Sequence, residues 1–259
     1  MGMNTNLKGF LIDLDGVLYV GDQPVDGAQD AIGFLMENDY KFRFLSNTTR
    51  KSRKTLANRL HAMGFSIPEE YIFTPALAAV TWLRNNKKNS YFLLITGDVE
   101  LDFTHSEATA TDNNPDMVIV GDAGDMISYE SMNRAFRHLM NGADLLALEK
   151  DRYWMAPEGL SLSAGPFVTA LEFATGKTAT LMGKPSKSFF ELALQDMGLS
   201  QGDVVMIGDD IHTDIAGAHM SGISGILVKT GKYRNDAVQN ATIKPAHIIE
   251  SIAHLRNIL

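Results

Sequence analysis

Four short apolar runs in this chain each stop at a cluster of small polar or acidic residues, and amphipathic stretches separate them. Leu7–Leu14 (LKGFLIDL) runs into Asp13-Leu14-Asp15-Gly16-Val17. Phe42–Leu45 runs into Ser46-Asn47-Thr48-Thr49, Thr180–Met182 into Gly183-Lys184-Pro185, and Val204–Ile207 into Gly208-Asp209-Asp210-Ile211-His212-Thr213-Asp214. Leu7–Leu14 reads as a buried strand, and Val204–Ile207, apolar throughout, as a strand buried on both faces. Ile226–Val228 is a further strand of the same kind. The stretches between them carry helical periodicity. Gly27–Glu37 places Ala28, Ile32, Leu35 and Met36 on one face; Leu56, Leu60 and Met63 form a second helix ended by Gly64; Lys187–Met197 places Phe190, Leu194 and Met197 together ahead of Gly198. Strand and helix in alternation predict an α/β fold with a doubly wound, mostly parallel, Rossmann-like core.

The middle of the chain repeats the alternation with its own elements. A helix over Ala76–Arg84 is followed by the unpatterned polar tract Asn85–Ser90, which reads as a linker. Strands are expected at Tyr91–Ile95, Met117–Val120 and Leu145–Leu148, and helices at Tyr129–Met140, capped by Ser128 or Ser131, and Pro166–Ala174. The first pattern resumes near Thr178. Residues 1–84 and 178–259 are therefore expected to build the core, and residues 85–177 an inserted α/β domain. A chain of 259 residues is long enough for both.

Composition narrows the function classes. With 23 Lys and Arg against 31 Asp and Glu the net charge is −8, which argues against a nucleic-acid partner but not against a small anionic one. There is no cysteine, so disulfides, thiolate metal sites and cysteine nucleophiles are excluded. No run approaches the roughly 18 apolar residues of a membrane span. Phe10-Leu11-Ile12 is too short for a signal sequence, and Asn6 stands where a Gly2 myristoylation motif needs Ser or Thr. The expected location is the cytoplasm, without a membrane partner. Self-association into a homo-oligomer is left open.

Chemistry enters through the four strand ends. Asp13 and Asp15, at i and i+2 where the chain leaves a strand, can both face the crevice beyond a parallel sheet, although a turn that merely bonds its own backbone has the same sequence. Asp209 and Asp210 at the end of an apolar strand are costly unless a cation neutralises them, and all-oxygen ligation suits Mg²⁺. Asp214 reads equally as a helix cap. Ser46 and Asn47 are donors that suit a phosphate, or a helix cap. Lys184 alone reads as a surface lysine as readily as an anion ligand, and Arg50, Lys51, Arg53 and Lys54 as a solvated helix face. Parallel strands put all four ends on one edge, where acids, a cation and phosphate donors together form the parts for metal-assisted phosphoryl transfer. The segment Arg152–Gly159, with Tyr153, Trp154 and Met155, reads equally as a leaving-group contact or as core of the inserted domain.

In this order, DLDGVLY (Asp13–Tyr19), LSNTT (Leu45–Thr49), GKP (Gly183–Pro185) and GDDIHTD (Gly208–Asp214) resemble the motifs of the haloacid dehalogenase (HAD) superfamily, and the position of the insert resembles its NagD-type branch with an α/β cap. GPFVTALEFATG (Gly165–Gly176) and ILVKTGKYR (Ile226–Arg234) extend the similarity over nearly the whole chain. The resemblance implies an HAD-like phosphatase acting on a small phosphorylated metabolite through an aspartyl phosphate, with Mg²⁺ as cofactor. It implies Asp13 as nucleophile and metal ligand, Asp15 as general acid and base with its carbonyl on the metal, and Asp209 as the second metal carboxylate. Ser46, Asn47 and Lys184 would bind the phosphoryl group, with Asp210 and Asp214 in support. Val17 departs from the threonine common in the wider superfamily, and His212 is assigned no role. The rival readings are a phosphotransferase or mutase on the same fold, and a non-catalytic receiver-type phosphate-binding module. A receiver lacks so large an insert and would not turn over repeatedly.

Overall fold

The computed structural model describes residues 7–104, 106–156 and 158–259. The readings placed on Gly2 and Asn6, and Pro157 of the 152–159 segment, lie outside the described residues. The chain divides into two compact units, one of Met1–Ser46, Leu56–Phe73 and Lys184–Leu259, the other of Asn47–Thr55 and Thr74–Gly183.

In the first unit six parallel strands lie in the order His247–Ile249, Ser224–Val228, Val204–Gly208, Gly9–Asp13, Lys41–Leu45 and Ile72–Phe73. Every residue of Gly9–Asp13 and Val204–Gly208 is buried, the physical reason both segments are continuously apolar. Phe10 and Ile12 pack in one cluster with Ile32 and Leu35 of the Ala28–Glu37 helix and with Ile252 and Leu255. Each such side chain contributes about 1.5–3 kcal/mol by leaving water. From Gly9–Asp13 the chain adds strands to one side as far as Ile72–Phe73; it later adds Val204–Gly208 and its successors on the other. The direction reverses between Gly9–Asp13 and Val204–Gly208, where the loops leaving a sheet diverge and open a crevice.

The second unit has its own five-stranded parallel sheet, ordered Thr180–Leu181, Asp144–Ala147, Met117–Val120, Ser90–Leu94 and Thr109–Ala110. Its core joins Phe92, Val118, Val120 and Leu145 with Leu139 of the Tyr129–Met140 helix and Val168 of the Ala164–Thr175 helix. Ser128 and Ser131 cap the former reciprocally, each hydroxyl accepting from the other's backbone N–H at 3.1 and 2.9 Å. Tyr153–Ala156 and Gly159–Leu162 pair as an antiparallel hairpin.

Several expectations change. The Thr180 strand, expected in the core sheet, pairs with Leu146 and Ala147 of the second sheet, and Met182 N–H continues the ladder to the Ala147 carbonyl at 2.8 Å. Apolar periodicity identifies a strand but not the sheet it joins. The helix expected over Ala76–Arg84 is Pro75–Asn85 and lies in the second unit, with Thr74 as its cap. The polar tract after it is a turn within that unit, closed by Lys88 N–H on the Leu83 carbonyl at 3.0 Å. The expected limits of the insert, 85 and 177, therefore fall inside the second unit. Lys51 and Lys54 are exposed, as a solvated face requires, whereas Arg50 is half-exposed and paired. Its guanidinium donates to Asp122 at 2.9 Å and lies over the Trp154 ring at 4.9 Å. Arg53 N–H donates to Asp102 at 3.2 Å.

Candidate active site

At the crevice of the first sheet, Asp13 is the last residue of Gly9–Asp13, and Asp209 follows Val204–Gly208 directly. The two strands are hydrogen-bonded neighbours, with Ile12 opposite Ile207. Both carboxylates are buried, and Asp214 is fully buried beside them. The three residues offer carboxylate oxygens that all lie within 4.8 Å of one another. Lys184 spans two of them: its Nζ donates to Asp13 Oδ1 and to Asp214 Oδ1, each at 2.6 Å. Lys184 is itself buried, so the surface reading of this lysine fails.

The neighbouring acids divide by environment. Asp210 Oδ1 accepts from His212 N–H at 2.8 Å and Thr213 N–H at 3.2 Å, and so caps the helical turn Ile211–Ile215. That turn carries Asp214 back to the cluster, where Asp214 Oδ2 accepts from Asp210 N–H at 3.1 Å. His212 is exposed, in keeping with a surface helix start. Asp15 is exposed, and its carboxylate accepts no hydrogen bond among the described residues. Ser46 is buried at the end of Lys41–Leu45, its N–H on the Phe73 carbonyl at 3.2 Å. Asn47, the next residue, belongs to the second unit, and its side chain lies against Gly183. Asp13, Lys184, Asp209 and Asp214 are thus brought together in one unit, with Asp15 and Ser46 at the same sheet edge.

A further loop encloses Asp209, and sequence reasoning missed it. Gly16 and Gly231 have φ of +92° and +58°, a region side chains rarely adopt, and a Cβ at either position would run into the Asp209 carboxylate. Lys232 N–H donates to Asp209 Oδ2 at 2.6 Å, and the Thr230 hydroxyl donates to the Gly16 carbonyl. The loop lies within the family-like stretch Ile226–Arg234, but no role was drawn from its Gly-Lys pair.

The electrostatics follow from burial. Desolvation is the largest influence on Asp13; Asp214 and Asp209 add to it, Lys184 opposes it, and its pKa rises to about 8. Desolvation and Asp214 raise Asp209 to about 6, against the Lys232 N–H. Burial disfavours the Lys184 ammonium, but Asp13 and Asp214 outweigh burial and hold it charged. Three clustered carboxylates share one buried ammonium, so the site has more negative charge than its own cation balances. A hard divalent cation fits this donor set, which is all carboxylate oxygen.

The comparisons with known proteins agree with this geometry. Residues 10–108 match the family described as haloacid dehalogenase-like hydrolase, and residues 181–255 the HAD-hydrolase-like family. Haloacid dehalogenase-like hydrolase domain-containing protein 2 of Bos taurus is 41% identical over 256 residues, covering 98% of this chain and 96% of that protein. Phospholysine phosphohistidine inorganic pyrophosphate phosphatase of Homo sapiens is 36% identical over 259 residues, covering 98% and 94%. NagD from E. coli K-12 has a fold matching at a TM-score of 0.89 with 27% identity, covering 96% of this chain and 98% of that one. With buried acids, a bridging lysine and this likeness along nearly its whole length, the chain belongs to the haloacid dehalogenase-like hydrolases, as a NagD-like phosphatase.

Proposed function

We propose that this protein is a magnesium-dependent phosphatase that hydrolyses a small phosphorylated molecule, in the cytoplasm, through a covalent phosphate on Asp13. The observation that carries the reading is the approach of Asp13, Asp209 and Asp214 to within 4.8 Å of one another, with Lys184 spanning two of them. Asp13 and Asp209 would hold Mg²⁺ together with the Asp15 carbonyl, with Asp214 and Asp210 in support. The ion would offset the repulsion between an anionic nucleophile and an anionic phosphate.

In the first half-reaction an Asp13 carboxylate oxygen bonds to phosphorus, the ester P–O bond breaks, and Asp15 gives its proton to the leaving oxygen. In the second, water bonds to phosphorus and Asp15 takes its proton. The P–O bond to Asp13 then breaks, which releases phosphate and restores the Asp13 carboxylate and the Asp15 acid. Ser46, Asn47 and Lys184 would bind the phosphoryl oxygens. The exposed position of Asp15, with no hydrogen bond to its carboxylate, leaves it able to reach a leaving oxygen or a water. The names of the relatives suggest phospho-amino acids and pyrophosphate as members of the first substrate panel.

The test is phosphate release from a panel of sugar, nucleotide, aromatic and amino-acid phosphates and pyrophosphate, with Mg²⁺ and with EDTA. Metal-dependent turnover, and a radiolabelled phosphoryl-enzyme lost in Asp13→Asn, are expected. Activity that survives EDTA or the Asp13→Asn substitution would overturn the mechanism.

A further inference from the structure

We propose that the Lys232 ammonium binds the substrate, and that it favours substrates carrying a second anionic group beside the phosphoryl group that is transferred. This rests on Asp13 being the attacking group.

Two lysines serve the cluster, and they are placed differently. Lys184 is buried, with its Nζ on Asp13 and Asp214 at 2.6 Å. Its charge is committed to the fixed carboxylates. Lys232 is exposed and forms no ion pair among the described residues. Its own backbone N–H lies on the Asp209 carboxylate at 2.6 Å, so the side chain starts at the edge of the acidic cluster. The loop under it is pinned without the Lys232 side chain: Lys232 N–H on Asp209, Gly231 packed against Gly16, and the Thr230 hydroxyl on the Gly16 carbonyl. The side chain is spent on none of these bonds. A pinned backbone with an uncommitted ammonium is a preorganised anion contact, on a flexible stem with three donors.

The position decides which anion it meets. A phosphoryl group within bonding reach of Asp13 enters the buried end of the site, beside Lys184. The rest of the substrate stays on the solvent side, where Lys232 stands. A second phosphate or carboxylate there would complete the pairing that Lys232 lacks. A neutral leaving group would leave it hydrated.

The test is calorimetric binding of two probes, inorganic phosphate and methylenediphosphonate, to the protein in excess Mg²⁺. Wild type, Lys232→Met and Lys232→Arg are compared, and turnover of p-nitrophenyl phosphate is measured separately. Wild type should prefer the diphosphonate. Lys232→Met should weaken the diphosphonate about tenfold, as for a lost charge-assisted hydrogen bond. It should change phosphate binding by less than about threefold, and Lys232→Arg should restore the preference. The backbone contact to Asp209 survives both substitutions, so the melting temperature should stay at the wild-type value, and the excess of Mg²⁺ keeps the metal site loaded in all three proteins. The inference is overturned if wild type shows no preference for the diphosphonate, or if Lys232→Met binds both probes like wild type or loses both equally. Intact binding without turnover in wild type would instead count against the phosphatase reading and leave the Lys232 contact standing.

Discussion

Loading magnesium into this cluster should expel a proton, and the number follows from the burial of its acids. Asp13 stands at about 8 and Asp209 at about 6, where an ordinary aspartate has 3.8. At pH 7 the first is about nine-tenths protonated and the second about one-tenth, so the metal-free cluster retains about one proton. The two titrate as a coupled set, and the count belongs to the cluster rather than to either residue. A carboxylate ligand must be ionised, so Mg²⁺ binding should release about one proton at pH 7, about two near pH 5 and almost none above about pH 9. Titrating Mg²⁺ calorimetrically in buffers of different ionisation enthalpy reads this count directly. The same shifts fix the sign of the stability change. Folded carboxyl groups keep protons that the unfolded chain has already given up, so unfolding free energy falls as pH rises from about 4 to about 8, by about 1.4 kcal/mol per pH unit for each retained proton. Saturating Mg²⁺ should flatten that slope, which urea midpoints across the window would show. Zero protons released at pH 7, with a metal-free stability that does not fall, would refute the claim that burial dominates the charge state of this site.

Three further outcomes are expected. Asp13→Asn should abolish turnover with the circular dichroism spectrum unchanged; full activity would place the nucleophile elsewhere. Lys184→Ala should lower kcat by on the order of 10²-fold, as for loss of one preorganised donor. It should also destabilise the metal-free protein at pH 8 by about 3–5 kcal/mol, because two buried carboxylates lose their shared cation; unchanged kcat in steady-state assays would contradict this placement of the lysine. Gly231→Ala forces a methyl group toward the Asp209 carboxylate at a backbone angle that costs about 1–2 kcal/mol, and should weaken Mg²⁺ binding by about tenfold or more, read by calorimetry.

The fold was legible wherever a strand was apolar throughout. Gly9–Asp13 and Val204–Gly208 announced themselves because both faces are covered, and the adjacent acids Asp209 and Asp210 at the end of the second pointed to a charge that needs a partner. Lys184 was harder, since its burial depends on Asp13 and Asp214 arriving from distant segments, and its own neighbours in sequence say nothing about that. Thr180–Leu181 was recognised as a strand but assigned to the wrong sheet, because pairing partners are not encoded in periodicity. Arg50 was misread for the same reason; its acid, Asp122, is remote in sequence. The role of the Thr230–Lys232 loop arises from backbone approach at Gly231, which leaves no side-chain pattern to find. In the 152–159 segment, Tyr153 and Met155 are exposed on the hairpin while Trp154 packs against Arg50, so apolar content alone did not separate a leaving-group contact from core.

The reversal of strand order in the first sheet also has a consequence for synthesis. Gly9 pairs with Val204, so the innermost strand emerges from the ribosome long before the neighbour that seals its second edge. The second unit, by contrast, can complete its own sheet as soon as Leu181 has been made. The nascent protein should therefore pass through a stage in which the inserted body is already ordered while the catalytic sheet still exposes an unpaired edge. Truncated chains ending before Val204 should be protected from proteolysis in residues 74–183 and yet have no capacity to hold the metal, because half of the carboxylate pair has not been built.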